Sequence, residues 1–435
     1  MEPLTITIIM MIIFFIFLLS GMPIFASLGS ASVVGILLLQ GPRGLGAVPG
    51  VLFDRLNSFS LVAVPLFILM GEIIFISGLG SDLFNAASRW MSRIRGGLAM
   101  ASVVSSAVFG ALCGVSVAGA ATIGSFAIPE MIKRGYDKSL ATGPVAAAGA
   151  LALLIPPSIA FVLYGEVADE SVGKLFMGGI VPGVVLALMM IIYIGIVCFI
   201  HPERAPRVDE NVSWSDRFKA LKKVWTCMIL VFIVLGFIYT GICTPTEAAA
   251  IGCIGSAVIA FYRKQLTSWE ALKSVLSKTM LTTGMILMIF SSALLFGYVL
   301  TRLQAPQMLI SLVESSNLPV WATLTMIMCI LILMGMFMDV VSVILIATPL
   351  LLPIVTTLGY NALWFGIIVG ITCEMAVITP PIGLNLYVVK GVSPSHITIS
   401  DIIKSALPFV AVEAVCLFIF VAFPDLALWL PNKMG

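Results

Sequence analysis

Apolar residues fall in long runs separated by short charged segments, at about 4–20, 23–40, 58–78, 98–128, 140–165, 176–200, 225–241, 245–262, 279–300, 320–358, 362–389 and 405–430. Most runs approach the roughly 20 residues an α-helix needs to cross a bilayer, so the pattern predicts an all-α polytopic membrane protein. Two runs do not fit single crossings. The 98–128 run has Arg89, Arg93 and Arg95 before it and Lys133, Arg134 and Lys138 after it. Basic residues mark the cytoplasmic side, so both ends are expected there and the run reads as a re-entrant hairpin with its tip near Cys113-Gly114-Val115-Ser116. The path then crosses to the acidic loop Glu166, Asp169 and Glu170. It returns to a basic loop with Arg204, Arg207, Arg217, Lys219, Lys222 and Lys223. Three further spans bring the chain to the far side near Arg302–Pro319, from which 320–358 enters and returns as a second hairpin.

The helix breakers occur twice. Pro129, Gly135-Tyr136 and Pro156-Pro157 recur as Pro353, Gly359-Tyr360 and Pro380-Pro381, at one offset (353−129, 359−135 and 380−156 all give 224). The turn Gly21-Met22-Pro23 resembles Gly241 to Pro245, and Pro182 resembles Pro408. The chain therefore divides into a first repeat, 1–200, a cytoplasmic linker, 201–224, and a second repeat, 225–430. Each repeat carries about five spanning helices and one hairpin, at about 98–130 and about 320–358. A broken helix follows each hairpin, at about 140–165 and about 362–389. An odd number of spans places the second copy upside down in the membrane, giving inverted repeats. Within the linker, Ser213 to Lys223 reads as a short amphipathic surface helix.

Composition narrows the function. Of 435 residues 60% are hydrophobic and 10% charged, far from a soluble domain. The first run lacks a basic start and a small-residue cleavage site, so it reads as a retained span rather than a signal peptide. A net charge of +2 gives no footprint for nucleic acid. Cys198, Cys227, Cys253, Cys329 and Cys373 lie inside apolar runs and read as small buried hydrophobes. Both histidines, His201 and His396, lie in connecting segments, which removes the usual ligands for haem or zinc and leaves no cofactor expected. No phosphate-cradling loop or nucleophile elbow is present, so uphill transport would draw on an ion gradient or another subunit.

The candidate chemistry lies at the breaks. A proline cannot donate to the carbonyl four residues back, so Pro156-Pro157 frees the carbonyls of Ala152 and Leu153, and Pro380-Pro381 those of Ala376 and Val377. Unwound backbone with nearby hydroxyls suits Na⁺. One Na⁺ site is expected from Gly149 and Ala152 with the tip at Gly114 and Ser116, and its mate from Thr372, Ala376 and Thr379 with the tip around Gly335. Substrate is expected between the tips, at Ser116, Pro156, Asp339, Ser342 and Pro380. Neither the tips nor the Pro-Pro segments contain Arg or Lys, so an anionic substrate would rest on half-helix N-termini and hydroxyls, including Thr379. Asp339 is read as a site residue because a membrane carboxylate is costly unless it is used. Glu374 is divided between site and structure. Glu247 reads as a first-turn cap, Glu72 as lying near a helix end, and Arg55 as an interfacial anchor.

These residues resemble the large membrane (M) subunit of tripartite ATP-independent periplasmic (TRAP) transporters, within the ion-transporter superfamily. The resemblance covers nearly the whole chain. It rests on Ser58-Phe59, Ala63-Val64-Pro65-Leu66-Phe67, Ile128-Pro129-Glu130-Met131, Lys133-Arg134-Gly135-Tyr136 and Ile155-Pro156-Pro157-Ser158. It continues in Thr244-Pro245-Thr246-Glu247-Ala248-Ala249-Ala250, Gly335-Met336-Phe337-Met338-Asp339 and Thr379-Pro380-Pro381-Ile382-Gly383-Leu384-Asn385. The chain departs from the family's pattern at Cys113, Val115, Thr372 and Ala376, where backbone rather than side-chain ligands carry over.

The resemblance implies an elevator-type carrier of the bacterial inner membrane, with a scaffold and a moving transport domain of 98–165 and 320–389. It implies Na⁺-driven symport of an organic acid received from a periplasmic substrate-binding protein (P type). It also implies a small membrane subunit (Q type) of about four spans, expected as a separate chain because no such segment precedes Met1. Sialic acids and C4-dicarboxylates remain open as substrates. The rival readings are a stand-alone Na⁺/dicarboxylate-type symporter of related architecture and an intramembrane enzyme or assembly scaffold.

Overall fold

A computed structural model describes residues 2–206 and 212–433. Among the described residues there are helices and turns but no strand, and eight helices are long and apolar enough to cross a membrane. Arg207, counted in the basic linker, lies outside the described residues.

The first half begins with α1 (Pro3–Leu19) and α2 (Ile24–Gln40), then α3 (Val48–Leu56), α4 (Ala63–Ile76) and α5 (Leu79–Met91). The hairpin is α6 (Gly97–Cys113) and α7 (Ser116–Lys133). It is followed by α8 (Lys138–Ala150), α9 (Ile159–Ala168) and the 29-residue α10 (Val172–Ile200). The second half runs α11 (Trp214–Tyr239), α12 (Pro245–Tyr262), α13 (Trp269–Arg302) and α14 (Ala305–Ser315). Its hairpin is α15 (Val320–Phe337) and α16 (Val340–Thr357), followed by α17 (Ala362–Val377), α18 (Leu384–Val392), α19 (Ile399–Ala422) and the short α20 (Pro424–Leu428).

Local chemistry stops the helices in the same way in both halves. After α1, Gly21 takes φ +84° and the Met22 N–H donates to the Phe17 carbonyl at 3.1 Å. After α11, Gly241 takes φ +71° and Ile242 donates to Phe237 at 3.0 Å. A left-handed glycine closing a six-residue bond is a Schellman stop, which satisfies helix-end carbonyls that have no other partner. The second hairpin helices end likewise: Gly135 (φ +78°) with Tyr136 donating to Met131, and Gly359 (φ +88°) with Tyr360 donating to Val355. Asp137 then caps α8 by accepting from the Ser139 N–H, as Asn361 caps α17 by accepting from Leu363. The bounds of α7 and α16 themselves differ by 224 at both ends (340−116 and 357−133).

Packing is exchanged between halves. Helix α2 lies on α13 as α12 lies on α4, and α7 lies on α18 as α16 lies on α9. The helices gather in two groups: α1, α2, α4 and α11–α13 on one side, and both hairpins with their broken helices on the other. Helices α10 and α19 join the second group, since α19 packs on α8 and both pack on α17.

Three features differ from expectation. The helix expected to be separate at Ser213 to Lys223 is the first part of α11, because Ser213 caps it and no breaker intervenes before the span. The amphipathic α5 and α14 were missed. Each starts at a left-handed residue, Gly78 (φ +74°) or Gln304 (φ +57°), and leads towards a hairpin. Finally, the segment matching the continuous 34-residue α13 is interrupted in the first half between α3 and α4 at Asn57-Ser58.

Candidate functional site

The first hairpin turn is fixed by glycine geometry. Gly114 (φ +62°) ends α6, Val115 is extended, and Ser116 begins α7 and is buried. A Cβ on Gly114 would stand 2.7 Å from the Pro157 carbonyl oxygen and 3.4 Å from the Ile159 nitrogen. The tip is therefore seated on the Pro-Pro segment, and the N-termini of α7 and α9 meet there. Below it, a Cβ on Gly110 would come within 2.9 Å of the Ala152 Cα, and one on Gly149 within 2.6 Å of the Ala120 Cβ. Gly114, Ser116, Gly149 and Ala152 thus lie along one seam between the hairpin and α8.

The second turn is built differently. Asp339 caps α16, accepting from the Ser342 N–H at 3.2 Å and from its hydroxyl at 2.5 Å. A Cβ on Gly335 would stand 2.5 Å from the Ala376 Cβ, which presses α15 against α17 near the second break. The buried Thr372 hydroxyl donates to the Ile368 and Val369 carbonyls, and the Thr379 hydroxyl donates to that of Met375.

The peptide bonds Pro156-Pro157 and Pro380-Pro381 are both cis. Two of the four carbonyls expected to be free are in fact used. Ser158 Oγ donates to the Leu153 oxygen at 2.7 Å, and the Thr379 N–H donates to that of Ala376 at 3.1 Å. The Ala152 and Val377 carbonyls receive no donor among the described residues. The available ligands are therefore neutral oxygens, with a second lone pair on each bonded carbonyl and lone pairs on the hydroxyls, a donor set that suits a hard monovalent cation.

The two breaks adjoin. Asn385, at the start of α18, donates to the Ala146 carbonyl of α8 at 3.2 Å within the core. Gly370 of α17 lies against Leu154, and the Leu151–Leu153 turn touches α17.

The carboxylates divide. Asp339 belongs to the second tip, whereas Glu374 lies between Leu154, beside the first break, and Glu413. It is fully buried on α17, close to Glu413 of α19 and to the Leu154 backbone N–H, and among the described residues no side chain hydrogen-bonds any of the four carboxylate oxygens. Glu413 was missed, although a carboxylate in the middle of the 405–430 apolar run was a sufficient signal. Glu247 forms a capping box with Thr244 at the start of α12. Glu72 is half-buried in the last part of α4. Arg55, read as an anchor, lines a cavity of about 340 Å³ between α3, α9, α13 and α16, opposite Glu166, whose carboxylate accepts from Ser58 Oγ at 2.7 Å.

The family model for the tripartite ATP-independent periplasmic transporter, DctM component, matches residues 11–426. The chain belongs to this family. It is accordingly the large permease subunit of a TRAP transporter, a multi-pass protein of the bacterial inner membrane rather than an enzyme. The C4-dicarboxylate TRAP transporter large permease protein DctM of Pseudomonas aeruginosa is 38% identical over 411 residues, covering 94% of each chain. The protein of the same description from Vibrio cholerae is 36% identical over 435 residues, covering 95% of each. The solved YdaH transporter of Alcanivorax borkumensis shares the fold, with a TM-score of 0.62 at 16% identity over 88% of this chain and 89% of that one. In this TRAP permease the Ala152 and Val377 carbonyls at the proline breaks receive no donor among the described residues.

Proposed function

We propose that this permease imports an organic acid by Na⁺ symport, receiving it from a periplasmic substrate-binding protein and working with a small four-helix membrane subunit. The observation that carries the reading is the seating of each glycine-bearing hairpin against a proline-broken helix, which leaves the Ala152 and Val377 carbonyls without donors in a buried position. Na⁺ is held in two places, by Gly114, Ser116, Gly149 and Ala152, and by Gly335, Thr372, Ala376 and Thr379. The organic acid lies between them, at Ser116, Pro156, Asp339, Ser342 and Pro380.

The substrate carboxylate rests on the α7 and α9 N-termini and on the Ser116 hydroxyl, where backbone dipoles favour negative charge without a buried Arg or Lys. Cation and anion then offset each other's charge, so neither enters the bundle alone. The names of the similar permeases favour a C4-dicarboxylate. The repeats are inverted, and the hairpin-bearing group slides against the group built on α4 and α13 as an elevator. Its contacts with that group are confined to a few seams, chiefly α6 on α4 and α16 on α13, which suits such a motion.

The direct test is thermal unfolding of the purified chain against NaCl, with KCl and choline chloride at matched ionic strength. Selective stabilisation by Na⁺ that is weakened in Ser116→Ala and Thr379→Val supports the sites, since a ligand bound to the folded state alone stabilises by mass action. Equal stabilisation by all three salts removes them.

A further inference from the structure

Arg217 stands where a cation is poorly placed. It lies in the first turn of α11, at the positive end of the helix dipole. Arg217 is only 7% exposed, and among the described residues its buried Nε and Nη2 have no hydrogen-bond partner. Its guanidinium carbon lies over the face of the Trp214 ring, 4.9 Å from the centroid. A buried, unpaired guanidinium is costly, and a cation–π contact of about 1–2 kcal/mol offsets only part of that cost.

The surroundings indicate what completes the site. Trp214 and Phe218 of α11 meet Trp90 of α5 edge-on, with ring centroids 6.3 Å and 6.0 Å from Trp90, and all three rings are more than 40% exposed. Exposed basic side chains flank them, among them Lys222 on α11 and Arg89 in the last turn of α5. Aromatic rings beside basic residues at the start of a spanning helix mark the headgroup level of a membrane, and the basic side is the cytoplasmic one.

We propose that the seam between α5 and α11 binds the phosphodiester of an anionic phospholipid of the cytoplasmic leaflet, with Arg217 as its buried cation and Trp90, Trp214 and Phe218 around its glycerol and upper acyl chains. The guanidinium fork matches two phosphate oxygens, and its charge is answered by the lipid rather than by a side chain of the permease. The site uses none of the residues assigned to the hairpin tips and proline breaks and does not depend on what the permease transports.

The test is native mass spectrometry of the delipidated full-length chain titrated with phosphatidylglycerol, phosphatidylcholine or inorganic phosphate. The wild type is expected to bind phosphatidylglycerol about tenfold more tightly than Arg217→Gln does, the factor lost with one charge-assisted contact. Inorganic phosphate is expected not to displace the lipid. Equal phosphatidylglycerol binding by both proteins, no preference over phosphatidylcholine, or displacement by phosphate would each overturn the proposal. A second measurement covers failure of the variant to fold. Arg217→Met should be at least as stable as wild type in lipid-free detergent and less stable once phosphatidylglycerol is added. If Arg217→Met is less stable than wild type in both conditions, the cation is paired within the chain and the lipid site does not exist.

Discussion

Gly335 and Ala376 meet across the second hairpin so closely that a Cβ on Gly335 would stand 2.5 Å from the Ala376 Cβ. Neither atom can rotate away, because a Cβ is fixed by the backbone. Gly335→Ala is therefore expected to push α15 off α17 and to destabilise by about 1–3 kcal/mol, the usual range for overpacking. Ala376→Gly in the same chain should restore most of the loss. Thermal unfolding of the two single variants and the double variant in detergent checks this, and additive losses would show that the two positions are not coupled.

The side chain of Asn385 ties the second broken helix to the first through the Ala146 carbonyl at 3.2 Å, and both groups are buried. Replacing it with alanine removes this buried hydrogen bond, at a cost of about 0.5–1.5 kcal/mol. Asn385→Ala should lower the unfolding temperature, and Asn385→Asp should lower it further by adding charge in the same place. Differential scanning fluorimetry of the two variants would reveal the order.

At the start of α12, the Thr244 N–H donates to Glu247 at 2.8 Å, and the Glu247 N–H donates to the Thr244 hydroxyl at 3.3 Å. Loss of such a cap costs about 1 kcal/mol. Thr244→Ala is expected to show a loss of that size by thermal unfolding, whereas Thr244→Ser should remain close to wild type. Uptake per folded molecule should be unchanged in both, because the cap lies outside the hairpins and their breaks.

Glu374 and Glu413 are fully buried, and among the described residues no side chain hydrogen-bonds either carboxylate. Replacing unpaired buried carboxylates with neutral groups of the same shape removes a desolvation cost. The double variant Glu374→Gln and Glu413→Gln should be as stable as wild type or more so, and Glu413→Lys alone should unfold more readily only if it lacks room to pair with Glu374. A large loss in the double glutamine variant would show that a charge at this pair is required by the fold.

Much of the architecture was legible because breakers and caps act locally. The left-handed glycines at 114, 135 and 359, the proline pairs, and the Thr244-to-Glu247 cap could all be placed from sequence, since each depends on a few adjacent residues. The amphipathic α5 and α14 were not, because an apolar-run search passes over short helices that bury only one face. The continuity of α11 from Trp214 depends on the absence of a breaker rather than on a signal, and its charged first turns suggested a separate surface helix. At the breaks, counting lost proline donors overstated the open carbonyls: the Ser158 hydroxyl and the Thr379 N–H fold back to fill two of them. The facing of Glu374 towards Glu413 depends on α17 and α19 packing side by side, which no local pattern encodes.

The most direct test of the central claim is uptake of a labelled C4-dicarboxylate into proteoliposomes that hold this permease and its small membrane subunit, with and without an inward Na⁺ gradient and the cognate periplasmic binding protein. The account predicts uptake only when both are supplied. Uptake on the Na⁺ gradient alone would contradict the requirement for a binding protein, and uptake indifferent to Na⁺ would contradict the coupling assigned to the hairpins and their breaks.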